Sequence, residues 1–251
     1  REPAPDFDVT FDPKSFNVPR GGRVSVTITA DRRDGFDGPI DVELVELPPG
    51  LTATAGRIPA GADTTVVMVA AAEDASFDGQ TAMVRSMYRR DFDVPGVVAL
   101  KLTSRATIDG RAVTHDAYVT DPISVVALAP GPDLVVTTGA QQIEVTAGQT
   151  VALTVAIERH NGFTARVPIS VMNLPHGVRV DDIGLNGVMI TEQETTRTIH
   201  IVAEPWVQAQ TQPLLIVGRV EVNSPLRNES AALPVQLVIK PAVTTAASRR
   251  Q

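Results

Sequence analysis

The sequence predicts an all-β chain built from two β-sandwich domains, and three observations support this prediction. Short runs of alternating polar and apolar residues recur along the chain, and turns rich in Gly and Pro separate them. No stretch has the apolar spacing of a long amphipathic helix. The stretch RRDGFDGPIDVELVELPPG at 32–50 also returns 127 positions later as RHNGFTARVPISVMNLPHG. This repeat predicts that the two domains are related by internal duplication.

Eight turn residues of the repeat are the predicted landmarks of the fold. A Gly-Phe pair closes one turn in each copy, because glycine accepts a positive φ and the ring can fold back over the core. A Leu-Pro-x-Gly sequence closes another, because proline presets φ near about −65° and glycine tolerates a crowded position. We expect both phenylalanine rings to be largely buried. The turn residues are Gly35, Phe36, Pro48 and Gly50 in the first copy and Gly162, Phe163, Pro175 and Gly177 in the second.

The composition restricts the classes of function. A net charge of −7 and a pI near 5.1 argue against a nucleic-acid partner, which would require a concentrated basic surface. No apolar run approaches the roughly 20 residues of a membrane-spanning helix, so we do not expect a membrane-embedded chain. The sequence contains no cysteine, which excludes disulfides, thiolate catalysis and thiolate metal sites.

The predicted domain boundaries follow from the repeat and from the proline-rich segments. Residues 1–5 form a linker, 6–129 the first domain, 130–132 a short hinge stiffened by proline, 133–241 the second domain, and 242–251 a flexible tail. The start of the sequence lacks Met and an apolar signal segment, and its Pro-Ala-Pro spacing is typical of a linker. We therefore expect a processed or excised part of a longer exported protein.

The strands of the first domain are predicted from their alternation. Val24, Val26 and Ile28 lie on one face of a strand whose other face is polar, which is the pattern of a half-buried strand. Pro13 interrupts the first strand and favours an edge position, where a missing N–H does least damage. The predicted strands are 6–11, 15–18, 23–30, 39–47, 64–71, 97–108, 112–119 and 123–128.

The second domain repeats this order with differences in length. Its predicted strands are 134–137, 143–145, 150–157, 167–172, 195–203, 214–222 and 234–240. The first copy carries an insertion near 77–99 that contains SMYRRDFDVPG, and the second has a longer middle loop. In the first copy, Asp109-Gly110 between two alternating runs also predicts a tight hairpin.

The order of these turns resembles a known class of module. A strand ending in R-x-x-G-F, an alternating strand, L-P-x-G and a later threonine-rich strand resemble bacterial immunoglobulin-like or fibronectin-III-like modules. Such modules occur in large exported and envelope proteins, including secreted hydrolases. The resemblance implies two tandem β-sandwich domains of this class in a periplasmic, cell-surface or secreted protein, and it carries no catalytic residues to transfer. The second copy departs from the pattern by lacking the Gly-Pro after Phe163.

The residues provide little support for catalysis or metal binding. The histidines lack the short local spacing of a zinc site, and there is no G-x-S-x-G motif. Acidic residues crowd two turns of the first copy and leave a calcium site open, although the strict calcium-loop spacing is absent and the second copy does not keep them. We expect no enzyme activity, no catalytic residues and no cofactor. The histidines are His115, His160, His176 and His200, and the acidic turn residues are Asp31, Asp34, Asp37, Asp41, Glu73, Asp74 and Asp78.

The insertion provides the candidate partner contact. Tyr88, Arg89, Arg90 and Phe92 combine aromatic and cationic side chains, and such residues are enriched at protein interfaces. We predict that 86–97 forms a protruding hairpin or loop that contacts either a partner protein or the second domain. The alternative is a hairpin that only decorates its own domain.

Three functions remain open from the sequence. The first is a non-catalytic structural or protein-interaction module of a larger exported or cell-envelope bacterial assembly. The second is an accessory region of a secreted hydrolase or protease. The third is a carbohydrate- or calcium-binding module. The expected partner is another protein or the remaining domains of the same polypeptide.

Overall fold

The computed structural model describes residues 4–85, 91–117, 125–181, 188–220 and 229–242. Every regular element within these ranges is a β-strand, which confirms the all-β prediction. The described part of the chain contains no helix long and apolar enough to cross a membrane. The chain divides into two compact units: the described residues up to 133 together with 229–230, and the remainder from 134 onward.

Up to Asp133, the described residues of the first unit form thirteen strands. They are β1 (Asp6–Asp12), β2 (Ser15–Pro19), β3 (Arg23–Arg33), β4 (Ile40–Val45), β5 (Leu51–Ala53), β6 (Gly56–Ile58), β7 (Thr64–Ala71), β8 (Thr81–Arg85), β9 (Asp91–Pro95), β10 (Val97–Ala99), β11 (Lys101–Ile108), β12 (Arg111–Ala117) and β13 (Val125–Ala129).

The strands of the first unit form layers around one core. One sheet has the order β1-β3-β7-β5, and two further sheets have the orders β12-β11-β4-β6 and β10-β13-β2; β8 and β9 form a separate two-stranded sheet. Ile28 from the first sheet and Ile40 and Leu102 from the second are fully buried in the same cluster. All pairs within these sheets are antiparallel except β2 with β13, which run in parallel.

The second unit begins at Leu134. Its strands are β14 (Leu134–Thr138), β15 (Gln142–Thr146), β16 (Thr150–Arg159), β17 (Val167–Met172), β18 (Val178–Asp181), β19 (Val188–Ile190), β20 (Thr196–Ala203), β21 (Gln210–Arg219), β22 (Glu229–Ala231) and β23 (Val235–Lys240). The division between the units falls within β22.

The second unit also places two layers around one core. One sheet has the order β14-β16-β20-β18, and the other contains the path β15-β23-β21-β17-β19. Leu153 and Ile199 from the first sheet and Leu214 from the second are buried to 2% exposure or less in one cluster. Here β15 and β23 are the parallel pair.

The alternation predicted from the sequence positions the core. In β3, Val24, Val26 and Ile28 are buried and the residues between them are more exposed, because successive side chains of a strand point to opposite faces. Strand β1, which ends just before Pro13, lies at the edge of its sheet as predicted. The predicted hairpin is confirmed by β11 and β12, with Asp109 and Gly110 at φ of 50° and 76° between them.

Five strands of three or four residues were not predicted. They are β5, β6, β18, β19 and β22. Strands this short contain at most two periods of the alternation, so their pattern does not stand out from that of a loop. Two of them, β5 and β18, directly follow the Leu-Pro-x-Gly turns and place the turn at the end of the sheet.

Candidate functional site

The Gly-Phe turns have the same backbone geometry in both units. The amide of the phenylalanine donates to the carbonyl three residues earlier, at 3.0 Å for Phe36 and 2.9 Å for Phe163. The preceding glycines, Gly35 and Gly162, have φ of 82° and 78°, which L side chains rarely adopt. Both glycines therefore adopt the positive φ that was predicted for the Gly-Phe turns.

The two phenylalanine rings differ in burial, which corrects one expectation. Phe36 is 8% exposed and lies 5.5 Å from the ring of Phe7, whereas Phe163 is only half-buried at the edge of its core. A Cβ on Gly38 would lie 2.8 Å from the Phe36 ring. The second copy carries Ala165 at the corresponding position, so the same ring position is blocked there and Phe163 is more exposed.

Arg32 connects the first Gly-Phe turn to the loop that precedes β7 through hydrogen bonds. Its Nε and Nη2 donate to the carbonyl of Ala62 at 3.1 and 2.9 Å, and Nη2 also donates to that of Pro59 at 3.0 Å. Its Nη1 donates to the carbonyl of Gly38 at 2.6 Å, and the guanidinium carbon lies 5.4 Å from the centre of the Phe36 ring. The planar fork of arginine thus satisfies three carbonyl groups of two segments.

Arg159 makes the same kind of connection in the second unit. Its Nε donates to Ala165 at 3.1 Å, Nη1 to Glu194 at 2.7 Å and Nη2 to Thr191 at 2.8 Å, in each case to the carbonyl oxygen. The arginine at the start of both repeats was not assigned a role from the sequence. A signal was present, because an arginine repeated 127 positions apart beside a turn has donors for the carbonyl groups that the turn leaves unpaired.

The Leu-Pro-x-Gly turns also share their backbone geometry. Pro48 and Pro175 are buried, and their carbonyls accept from the residue after the glycine at 3.1 and 2.9 Å. Gly50 and Gly177 have φ of 86° and 81°. These four residues are therefore structural, as the turn prediction required.

One exposed aromatic pair distinguishes the second unit. Trp206 is 58% exposed, and its ring centre lies 5.0 Å from that of His176 at an interplanar angle of 53°. Trp206 occupies a turn closed by a 3.1 Å hydrogen bond from the Val207 amide to the Glu204 carbonyl. No motif of the sequence marked Trp206 as a candidate site residue, because its exposure depends on the turn conformation.

The insertion of the first unit contains a two-stranded hairpin. Strands β8 and β9 pair antiparallel from Thr81 with Pro95 to Arg85 with Asp91. Its predicted contact residues Tyr88, Arg89 and Arg90 lie outside the described residues. Phe92 is paired with Val84 in the ladder, but its side chain also lies outside the described part, so the contact prediction stays a prediction.

A hydrogen bond between β1 and β12 lowers the pKa of one aspartate. A hydrogen bond of 2.8 Å joins His115 Nε2 to Asp6 Oδ1, and the His115 ring packs edge-on to Phe7 at 4.9 Å. The hydrogen bond from His115, aided by one from the Phe7 backbone, lowers the pKa of Asp6 below its ordinary value of 3.8. The pair therefore connects β1 with β12 through side chains rather than through main-chain pairing.

Polar side chains line a depression on the first unit, and one of them forms an ion pair. A shallow depression of about 180 Å³ on the first unit is lined by Asp41, Glu43, Thr103 and Arg105, among others. There Asp41 pairs with Arg57 at 3.0 Å. Within the described residues, no group of three or more His, Asp or Glu side chains is arranged to hold a metal ion.

Comparison with known proteins gives no family. No family model matches the chain, and no curated protein matches it.

Solved structures with some similarity include three of unlike origin. A protein of unknown function from Porphyromonas gingivalis W83 is 12% identical, with 92% of this chain and 99% of that chain covered and a TM-score of 0.29. Fibronectin(III)-like modules of Clostridium thermocellum CbhA are 12% identical, with 94% of each chain covered and a TM-score of 0.25. Domains 4 and 5 of the S-layer protein SbsC are 14% identical, with 59% and 66% covered and a TM-score of 0.29. At such TM-scores the likeness carries no argument about this chain.

Proposed function

We propose that this chain is a non-catalytic structural module of a larger exported or cell-envelope assembly. Its two units are immunoglobulin-like or fibronectin-III-like sandwiches related by duplication, and they transmit tension between the segments attached to them. The observation that carries the proposal is a parallel strand pair that closes each unit.

The proposed duplication is supported by two features of the fold. The order β1-β3-β7-β5 matches the order β14-β16-β20-β18 strand for strand. Both units also use the same turn hydrogen bonds and an arginine fork, Arg32 and Arg159, at positions separated by 127. Such details exceed what two unrelated sandwiches need to share.

The parallel pairs join the beginning and the end of each unit. Residues Ser15–Pro19 of β2 pair with Val125–Ala129 of β13, and Gln142–Thr146 of β15 pair with Gln236–Lys240 of β23. In each pair one strand belongs to the N-terminal segment of its unit and the other to the C-terminal segment.

Parallel pairing determines how such a unit responds to tension. When the N-terminal segment and the C-terminal segment are pulled apart, two parallel strands slide along each other. All hydrogen bonds of the ladder then resist the load together. A pair loaded from the same end would instead open one bond at a time, which requires less force.

Single-molecule pulling tests this proposal in the second unit. Because the chain has no cysteine, paired cysteines can serve as unique handles. Handles at Gln141→Cys and Pro241→Cys load β15 against β23 in shear. Handles at Gln141→Cys and Leu233→Cys load the same two strands from one end and form the matched control.

We expect the shear handles to give an unfolding force several-fold higher than the control handles at the same pulling rate. Equal forces would contradict the proposal that the parallel pair transmits tension. Thermal unfolding of both cysteine variants should match the parent chain, which separates a mechanical difference from a loss of stability.

A second part of the proposal concerns the hairpin of the first unit as a contact site. We propose that the hairpin β8 to β9, with Tyr88, Arg89, Arg90 and Phe92, contacts a partner protein or neighbouring domain. The Gly96 amide donates to the Gln80 carbonyl at 2.9 Å at the base of the hairpin. Replacing 81–95 by Asn-Gly should therefore leave the sandwich closed.

The native partner profile of the shortened chain tests this contact. Pull-downs from the source organism should lose a specific protein with the shortened chain and retain it with the parent chain. Identical profiles, with both chains equally folded, would contradict a contact between the hairpin and a partner protein.

A further inference from the structure

The aromatic pair at Trp206 has no counterpart in the first unit. The corresponding turn there is closed by a 3.2 Å bond from the Ala75 amide to the Ala72 carbonyl, with Asp74 at the position of the tryptophan. Pro49 stands where the second unit has His176. The fold closes this turn without either aromatic side chain, so the pair is not required by the scaffold.

The tryptophan ring is held in place although most of its surface is exposed. Its six-membered edge packs on Gly177, where an added Cβ would lie 2.4 Å from the ring carbon Cη2. The turn that carries it is fixed by Pro205 and by the hydrogen bond from Val207 to Glu204. A rigid exposed ring loses little conformational entropy on binding a ligand.

An ion-pair network adjoins the turn that carries the ring. Arg179, two residues after Gly177, pairs through Nη1 with Glu204, which belongs to that turn, and through Nε with Asp181 at 3.1 Å. Arg179 is about half exposed, with 52% of its side chain accessible. Two carboxylates share the single guanidinium, so the network carries one excess negative charge and disfavours an anionic ligand, while its polar atoms can hydrogen-bond hydroxyl groups.

The surroundings favour a sugar over a protein partner. Standard protein interfaces bury roughly 800 Å² per partner around an apolar centre. Apart from Pro205, the exposed neighbours of Trp206 are instead polar: His176 contacts the ring, and Glu204 and Gln208 stand two positions away along the chain. Arg179 adds its pair with Glu204. A pyranose ring is of the size of one indole, and it combines an apolar C–H face with a rim of hydroxyls.

We propose that the indole of Trp206, with His176 beside it, forms the stacking surface of an oligosaccharide-binding site in the second unit. Its ligand is a neutral β-1,4-linked pyranose chain. Equatorial linkages keep the C–H face of each sugar ring accessible along an extended chain, so that one sugar ring can stack on the indole, and Arg179 and Glu204 are positioned by the turn to hydrogen-bond neighbouring hydroxyls. This inference is independent of the proposal that the units transmit tension.

The single tryptophan makes the site directly observable. Because the sequence has one Trp, all indole emission comes from Trp206. The full chain is titrated with cellohexaose, xylohexaose and chitohexaose, with maltohexaose as the α-linked control. We expect at least one β-linked hexasaccharide to change the emission saturably and to bind at least tenfold more tightly than maltohexaose.

Variants separate this site from other surfaces. Calorimetry with the binding hexasaccharide should show at least a tenfold loss of affinity for Trp206→Ala and a smaller loss for Arg179→Ala. Leu233→Ala removes another exposed apolar side chain and should bind as the parent chain does. Unchanged thermal unfolding of each variant establishes that the fold is retained.

Three results would overturn the proposal. The first is no emission change and no heat with any β-linked hexasaccharide at millimolar concentration. The second is equal affinity of the parent chain and Trp206→Ala. The third is a blue shift of the emission that grows with protein concentration in the absence of sugar, which would assign the ring to an interface between two copies of the chain.

Discussion

Trp206 lies so close to Gly177 that a methyl group on this glycine would approach Cη2 of the indole to 2.4 Å. Gly177 also has φ of 81°. Gly162, at φ of 78°, has no atom within 4 Å of an added Cβ. The two glycines therefore separate the cost of the backbone conformation from the cost of a steric clash.

We predict that Gly162→Ala lowers the free energy of unfolding by about 1–2 kcal/mol, the cost of a left-handed conformation for an L residue. Gly177→Ala should cost about 1–3 kcal/mol more, because both the indole and the buried Val207 methyl, 2.6 Å from an added Cβ, must move. Urea denaturation measures both. An equal loss for the two variants would mean that neither side chain is fixed against the glycine.

The burial of the two phenylalanine rings leads to a second prediction. Phe36→Ala should lower the free energy of unfolding by about 3–5 kcal/mol, because it empties a buried core position. Phe163→Ala should cost less than half as much, because its ring is half-buried. Thermal or urea unfolding of the two variants checks the ratio, and a larger loss for Phe163→Ala would contradict the described packing.

The arginine forks give a third prediction. Arg32→Lys keeps the charge but cannot serve the three carbonyl groups with a planar fork. We expect a loss of at least about 2 kcal/mol, since part-buried carbonyls lose their charged donors. Arg33→Lys is the neighbouring control, because Arg33 bonds only exposed aspartates among its described contacts. Denaturation curves that are the same for both variants would exclude the structural role of the fork.

The contacts of these arginines also show which features could not be predicted from the sequence. The alternation of Val24, Val26 and Ile28 was enough to predict a strand and its buried face, because burial of one face follows from the period of two. The positive φ of Gly35 and Gly177 was predictable, because each glycine lies in a turn signature. The carbonyl partners of Arg32 lie up to 30 positions away, so only the folded chain brings them together.

The same limit applies to the candidate site. The exposure of Trp206 depends on a turn whose partner, Gly177, is 29 positions earlier in the sequence. The missed burial difference between Phe36 and Phe163 has a local cause, since Gly38 and Ala165 differ by one methyl group. A repeat predicts equal backbones, but it does not predict how one additional carbon displaces a ring.

The pair of Asp6 and His115 gives a pH prediction. The pKa of Asp6 is lower in the folded chain than its ordinary value. Its contribution is therefore present above that ordinary value, near 3.8, and is lost as the pH falls through the folded pKa. Because both side chains are partly exposed, the contribution is at most about 1 kcal/mol.

Asp6→Asn should therefore lower the stability at pH 6 and make the stability less dependent on pH between about 5 and 2. Asp8→Asn, on the same strand, is the control for the change in net charge. Urea unfolding across this pH range measures the effect. A pH dependence of Asp6→Asn that matches the parent chain would show that the hydrogen bond does not contribute.

The central claim is that both units are closed by the same parallel pairing, and disulfide trapping tests it most directly. Asn17 pairs with Ala127 in the first unit, and Glu144 pairs with Val238 in the second. Each position is changed to cysteine in a chain that has none, one pair at a time. The control pair is Glu144→Cys with Gln236→Cys, whose α-carbons lie about 8 Å apart because the partner is shifted by two residues.

After mild oxidation, mass spectrometry of the peptides reads out the bonds. We predict a disulfide in nearly all molecules for the two register pairs and in few molecules for the shifted pair. Cross-linking of only one register pair, or preferential cross-linking of the shifted pair, would contradict the common closure of the two units.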